Sequence, residues 1–324
     1  MLVDDFVRSR LPAWERLREL VDRRPRTAAE VDELIDLYHQ ASTDLSSART
    51  NLRDPDVIAA LTTLVGSANG RIYGSSGSVR RSIGGFFGEV FPAAVYSHRW
   101  RIAFATALFL LPALVFGVWI TNSDAALEAT ADPVTRAAYV ETDFEEYYSS
   151  EPAEQFSTEV FVNNVQVAFL AFALGITFGL GTAYVLLING ALLGFAGGLF
   201  HAADAAPRFW GLILPHGLLE ISAIVVAGGA GLALGMAIVS PGDRSRGAAA
   251  AAEGQRAATV VLGLVPVFGV AAVIEAFVTP SPLSTAARVA IGVLAFIAFW
   301  IYTLLWGRAA ALRGVTGHLT RATV

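Results

Sequence analysis

Apolar residues follow two rhythms along this chain. Over roughly the first third they recur three and four positions apart, the spacing of an amphipathic helix; after that they run almost unbroken. Leu11, Trp14, Leu17, Leu20 and Val21 mark a first helix. Thr27, followed three residues later by Glu30, has the form of a capping box, with the stripe Val31, Leu34, Ile35, Tyr38, Ala41, Leu45 and Ala48 behind it. A third helix is expected from Asp54 and Pro55, carrying Val57, Ile58, Leu61 and Leu64. Residues 1–78 are thus expected to be a cytoplasmic helical region, closed by a flexible joint at Gly74 to Ser78.

Arg80 and Arg81 then lead into Ile83, Phe86, Phe87 and Phe91. A basic start joined to an aromatic face suits a helix lying among lipid headgroups. Residues 79–98 are expected to form such an interfacial elbow, bent at Pro92; the alternative is a helix packed on the cytoplasmic bundle. Six apolar windows follow, at 101–120, 163–187, 190–203, 214–239, 257–278 and 286–306. A crossing helix needs about 20 apolar residues. The third window is short and the apolar run of the fourth starts at Phe209, so a partly re-entrant third helix or a half-helix before Pro215 is expected.

Composition supports the membrane assignment. Hydrophobic residues make up 54% of the chain and charged ones only 16%, against about a quarter charged in soluble domains. The fold class expected is all-α, a polytopic bundle of about six transmembrane helices at 99–310 with the helical region ahead of it and a cytoplasmic tail at 311–324. Every basic residue is arginine, the usage of a GC-rich bacterial genome. Arginines cluster before the first window (Arg80, Arg81, Arg99), between the fourth and fifth (Arg244, Arg246, Arg256) and after the sixth (Arg308, Arg313, Arg321). Positive flanks stay cytoplasmic, which predicts a cell-membrane protein with both termini inside. Segment 121–159, acidic apart from Arg136, is expected outside, with Tyr139, Phe144, Tyr147 and Tyr148 interleaved. The first hundred residues are too polar and too long for a signal peptide, leaving the first span as the expected insertion signal. With no cysteine, disulfides, thiolate nucleophiles and cysteine-based metal sites are excluded.

Ionisable groups inside apolar spans carry the candidate chemistry, because within lipid they face a protein interior or a cavity. His216 and Glu220 stand four apart on one helix face, just after Pro215, a residue suited to the first position of a helix. Asn163 and Asn164 open the second window, and Glu275 closes the fifth. The topology brings all of them to the outer leaflet. His201 and Asp204 share that depth and are read as loop residues. For Glu275 the bland alternative is an ion pair with Arg288; for His216 and Glu220 it is a buried structural pair. A metal held by His216, Glu220 and a further carboxylate lacks the second histidine of a metalloprotease helix. No cofactor is assigned.

The blocks Asn163-Asn164-Val165-Gln166-Val167-Ala168-Phe169, Phe172 to Gly179, Asn189-Gly190, Pro215-His216-Gly217-Leu218-Leu219-Glu220 and Ile274-Glu275-Ala276-Phe277-Val278-Thr279-Pro280 together resemble the stage II sporulation protein M family over most of residues 80–310. The resemblance implies a multi-pass envelope protein whose namesake holds a peptidoglycan-degrading complex at the septal membrane during engulfment. It also points to His216, Glu220 and Glu275 as shared positions, while the sporulation role itself does not transfer to members that make no spores.

Three functions follow as expectations. The first is a non-enzymatic membrane component that anchors or organises envelope proteins. The second is transport or lipid handling through an outer polar cavity; the third is an intramembrane metal-dependent hydrolase. Expected partners are the lipid bilayer, other membrane or envelope proteins and a second copy of the chain, with no nucleic acid.

Overall fold

The computed structural model describes residues 3–23, 27–52, 54–73, 83–143 and 153–318, which are almost wholly helical and contain no strand. The joint at Gly74 to Ser78, Arg80, Arg81, Phe144, Tyr147, Tyr148 and Arg321 lie outside the described residues. The chain divides into two units, one up to Gly84 and one from Gly85 onward.

The first unit is three helices, α1 (Val3–Arg23), α2 (Ala28–Ser47) and α3 (Pro55–Tyr73). Thr27 and Glu30 make both bonds of the capping box at the start of α2, and Asp54 Oδ1 accepts from the Asp56 and Val57 amides at the start of α3. Trp14, Leu17, Leu20, Leu34, Leu45 and Leu61 build a core of their own. Leu11 and Val31, placed on the apolar stripes by spacing, are exposed, while Phe6 is in the core. Across the outside, Arg16 grips Glu33 through two bonds of 2.9 and 2.8 Å, and that bond holds the Glu33 carboxyl below the usual carboxylate range.

The second unit opens with a π-helical turn at Phe86–Val90 and the short helix α4 (Phe91–Ser97). This is the stretch expected to form the interfacial elbow. Phe91, Pro92, Ala93, Ala94 and Val95 are buried against the membrane helices, Tyr302 donates its hydroxyl to Phe87 O, and the chain bends at His98, not at Pro92. Pro92 lies inside a helical run that continues unbroken from Ile83 to Ser97, directly after the π-helical turn.

Among the described residues, six helices are long and apolar enough to cross a membrane. They include α5 (Arg99–Asn122), then, beyond the short loop helices α6 (Asp124–Thr130) and α7 (Pro133–Ala138), α8 (Ala153–Ala173) and α9 (Leu180–Ala202). The set is completed by α10 (Ala206–Val239), by α11 (Arg246–Val273) with a π-helical turn at Ile274–Val278, and by α12 (Thr285–Ile301), which runs through a second such turn into α13 (Gly307–Leu312). Helix α10 is the hub: 67% of its apolar window is buried in the protein, against 17% for α5 and for α12. The others surround it.

Two windows are redrawn. The expected second window, 163–187, crosses a tight turn at Thr177 to Gly179, where Phe178 (φ 60°) and Gly179 (φ 83°) are left-handed. Hydropathy shows no dip there because the turn is made of residues as apolar as their neighbours; glycine supplies the conformation that other residues adopt only at a cost. The third span is therefore a full 23-residue helix, about 35 Å long at 1.5 Å per residue, long enough to cross. Similarly, α10 starts at Ala206 with Pro207 in its first turn, so Pro215 is interior to a 34-residue helix instead of opening one. An interior proline strips a donor from the ladder, a loss that membrane helices tolerate when neighbours close in. Gly292 of α12 packs against this stretch, so near that a side chain there would fall 2.3 Å from Pro215 O. Close approach also joins α9 to α5, where Gly190 and Gly194 lie against the carbonyls of Phe109 and Ala113.

The acidic segment is anchored to the bundle through its first part. Arg208 donates to Val140 O and Glu141 O at 3.1 and 2.8 Å, and Tyr139 packs edge-on against Phe200. Asp132 caps α7, and its bond from the Thr135 hydroxyl holds the carboxyl below the ordinary aspartate range.

Candidate functional site

The polar side chains gather at the end of the bundle that carries the 121–159 segment. On α10, four-residue spacing puts His216 and Glu220 on one face, and both are buried. Glu275 comes from the π-helical turn that ends α11, where Thr279 N bonds Ile274 O at 3.0 Å, a five-residue span. Such a turn inserts one residue into the helix and re-aims the side chains around it, and it recurs at functional sites. Here it brings Glu275 and Thr279 together onto His216: Nδ1 lies 3.3 Å from Thr279 Oγ1, and Nε2 lies 3.7 Å from Glu275 Oε1. The second contact is too long for a good hydrogen bond.

Glu220 takes a side-chain hydrogen bond from Asn164 of α8 and lies within electrostatic reach of Glu275. Three helices thus supply five polar groups to one buried place. One atom is left over. Glu275 Oε2 is buried and has no hydrogen-bond partner among the described residues, a state that costs about 1–3 kcal/mol or more when the group is charged.

The remaining candidates separate from this cluster. Asn163 is exposed, as its one-residue offset from Asn164 turns it about 100° around the helix; it does not reach Glu220. His201 and Asp204 are exposed, and His201 Nδ1 bonds Gly197 O at 2.7 Å within its own helix. Arg288 bonds Thr279 O and, at 3.2 Å, Thr285 Oγ1, and no ion pair joins it to Glu275 among the described residues. Thr279 was missed by reading the sequence for ionisable groups alone. Its four-residue offset from Glu275 was the available signal.

A second histidine–glutamate pair, also unflagged by the sequence, occupies the opposite end. His98, at the bend before α5, is buried; its Nδ1 lies 2.7 Å from Ala94 O and its Nε2 2.6 Å from Glu253 Oε1. Arg256 holds the other Glu253 oxygen at 3.1 Å and reaches His318 Nε2 at 3.0 Å. Burial lowers the His318 imidazole below its ordinary range. Among the described residues, no three His, Cys, Asp or Glu side chains are grouped so as to hold a metal ion.

Residues 105–280 match the family described as Stage II sporulation protein M. The chain belongs to that family. The stage II sporulation protein M match takes in Asn164, His216, Glu220, Glu275 and Thr279 and leaves out His98. Residues 4–74, the three-helix unit, match a separate family described only as Domain of unknown function (DUF8413). Among curated proteins, the chain is similar to "Uncharacterized protein MJ0793" of Methanocaldococcus jannaschii, 39% identical over 82 residues, which is 25% of this chain and 46% of that protein. The chain thus spans about half the length of the curated relative it matches. No solved structure matches. Family and spans together make this an integral membrane protein.

Proposed function

We propose that the chain is a non-enzymatic component of a cell-envelope assembly, holding partner proteins at the cell membrane with both of its own termini in the cytoplasm. What carries this reading is the joining of two unlike units. A three-helix unit with its own core and a surface of mixed charge is fused to a membrane bundle whose core is separate. A soluble module of that kind, fixed at a membrane, serves to meet something else. The arginine asymmetry orients the chain so that this module and the tail face the cytoplasm while the acidic segment faces outward.

Affinity purification of the intact protein from its own membranes in mild detergent tests the proposal. Stoichiometric envelope proteins should copurify, and they should be lost when exposed charges of the unit, such as Arg18 and Asp22, are reversed. Recovery of the chain with lipid alone, or only with itself, would overturn it. Orientation is tested by cysteine labelling in this naturally cysteine-free chain. A cysteine at Ser149 should react with an impermeant reagent from outside, and one at Ser245 should not.

One observation favours a second reading, transport or lipid handling at the polar cluster: the unpartnered Glu275 Oε2. A scaffold has no use for a buried carboxylate with spare bonding capacity, whereas a site that receives a proton or an ion does. Reconstitution in vesicles with a pH-sensitive dye inside decides between the two. Proton movement that disappears in Glu275→Gln supports transport.

A further inference from the structure

A neighbouring face of α10 to that of Glu220 looks into a cavity of about 780 Å³ walled by α5, α9, α10 and α12. That volume falls within the range of about 300–1,000 Å³ typical of small-molecule sites. Leu111, Leu114, Leu193, Leu214, Leu218 and Ile221 line its length. The hydroxyl and indole donors in its walls are already engaged: Thr106 bonds Ile102 O, Thr121 bonds Gly117 O, Ser222 bonds Leu218 O, Trp300 bonds Ser222 and Trp210 bonds His201. Water in an apolar cavity needs two to four polar partners, and these walls do not provide them.

The polarity is graded. Asn122, His201 and Trp210 stand at the end next to the 121–159 segment, and the Ser222–Trp300 bond of 3.1 Å lies at the deep end. From Trp210 to Val225 the cavity follows α10 for about 22 Å at 1.5 Å per residue. One leaflet of hydrocarbon is about 15 Å deep, half of roughly 30 Å. The space therefore runs from headgroup level, where Trp settles, to just past the bilayer midplane. Gly217, between His216 and Leu218 in the sequence block read above, keeps it open: a side chain there would meet only Ile213 of its own helix, itself a wall residue.

We propose that this cavity is a binding site for one acyl chain of a membrane phospholipid, entered from the side between α5 and α12, with its headgroup beside Asn122, His201 and Trp210. The flanking residues Leu111 and Leu114 are exposed on the surface that lipid touches, so a chain can enter sideways. The proposal rests on neither reading of the polar cluster. It requires only that the bundle sit in a bilayer.

Trp300 is a built-in reporter at the deep end. With the five other tryptophans changed to Phe, the protein is reconstituted in vesicles of phosphatidylcholine brominated on its acyl chains. Trp300 emission should be quenched, and most of that quenching should be lost when Leu214→Phe and Leu218→Phe fill the cavity. A variant keeping only Trp119, which is exposed on the outer surface of α5, should be quenched equally with the cavity open or filled. Unquenched Trp300, or quenching indifferent to filling, would overturn the proposal. Native mass spectrometry of the protein with all its tryptophans gives an independent reading. One phospholipid mass should survive mild delipidation and be lost in the Leu214→Phe, Leu218→Phe variant; a retained polyprenyl mass, or no retained mass, would count against it.

Discussion

The two histidine–glutamate pairs use the same residue types at opposite ends of one helix, and they are built to different standards. His98 and Glu253 meet at 2.6 Å, with Ala94 O on the far imidazole nitrogen and Arg256 on the far carboxylate oxygen. His216 and Glu275 stand 3.7 Å apart, and Glu275 Oε2 has nothing to bond among the described residues. A closed network rigidifies; an open one keeps capacity for something else. The family match covers the open pair as far as Thr279 and, of the closed pair, Glu253 but not His98. One end of α11 is thus fully bonded, and the other keeps an unused bond among the described residues.

The comparison breaks if stability does not follow closure. His98→Ala should be the most damaging change, because it empties a buried site and removes the bonds to both Ala94 O and Glu253 Oε1. Truncating a buried side chain costs about 2–5 kcal/mol, read as a large fall in melting temperature in detergent. Asn164→Ala should come next, at about 1–2 kcal/mol, since Glu220 loses its hydrogen bond, while Asn163→Ala, at an exposed position, should leave the melting curve where it was. Glu275→Gln should have the smallest effect on stability, under about 1 kcal/mol, because the atom it alters has no bond to lose. Under the transport reading that same variant fails to complement a deletion strain; under the scaffold reading it complements. Full complementation by both Glu275→Gln and Glu220→Gln would return the open pair to a structural role and erase the contrast.

Much of this was legible in the sequence, and what was not has physical reasons. The six spans follow from hydropathy, and the capping box at Thr27 and the start of α3 at Asp54 from local rules. The cluster of His216, Glu220, Glu275 and Asn164 follows from topology alone, since alternate span ends must share a depth. The turn at Thr177 to Gly179 was hidden because it is conformational and carries no polar signal. Pro215 read as a helix start because a proline's own preference is local, whereas the helix already runs from Ala206 and carries through it. Asn163 and Asn164 could not be ranked without the rotation of α8 about its axis. The His98–Glu253 pair joins residues 155 apart, one at a bend and one in an alanine-rich run, and no spacing rule reaches that far.

The order in which the chain is made gives the central helix an unusual history. At about 5–20 residues per second, the 63 residues between His216 and Thr279 take roughly 3–13 seconds to synthesise. When α10 leaves the translocon, Asn164 is already in the bilayer to receive Glu220, but Glu275 and Thr279 have yet to be made. The helix must be admitted on its own hydropathy, a mean of 2.1 over its apolar window, before two of the five groups of its site exist. Helix α11 then arrives with its π-helical turn as the piece that completes the site, so a ribosome pause between Val239 and Arg246 would prolong the incomplete state, and slowed translation there should make the nascent protein a better substrate for membrane proteases.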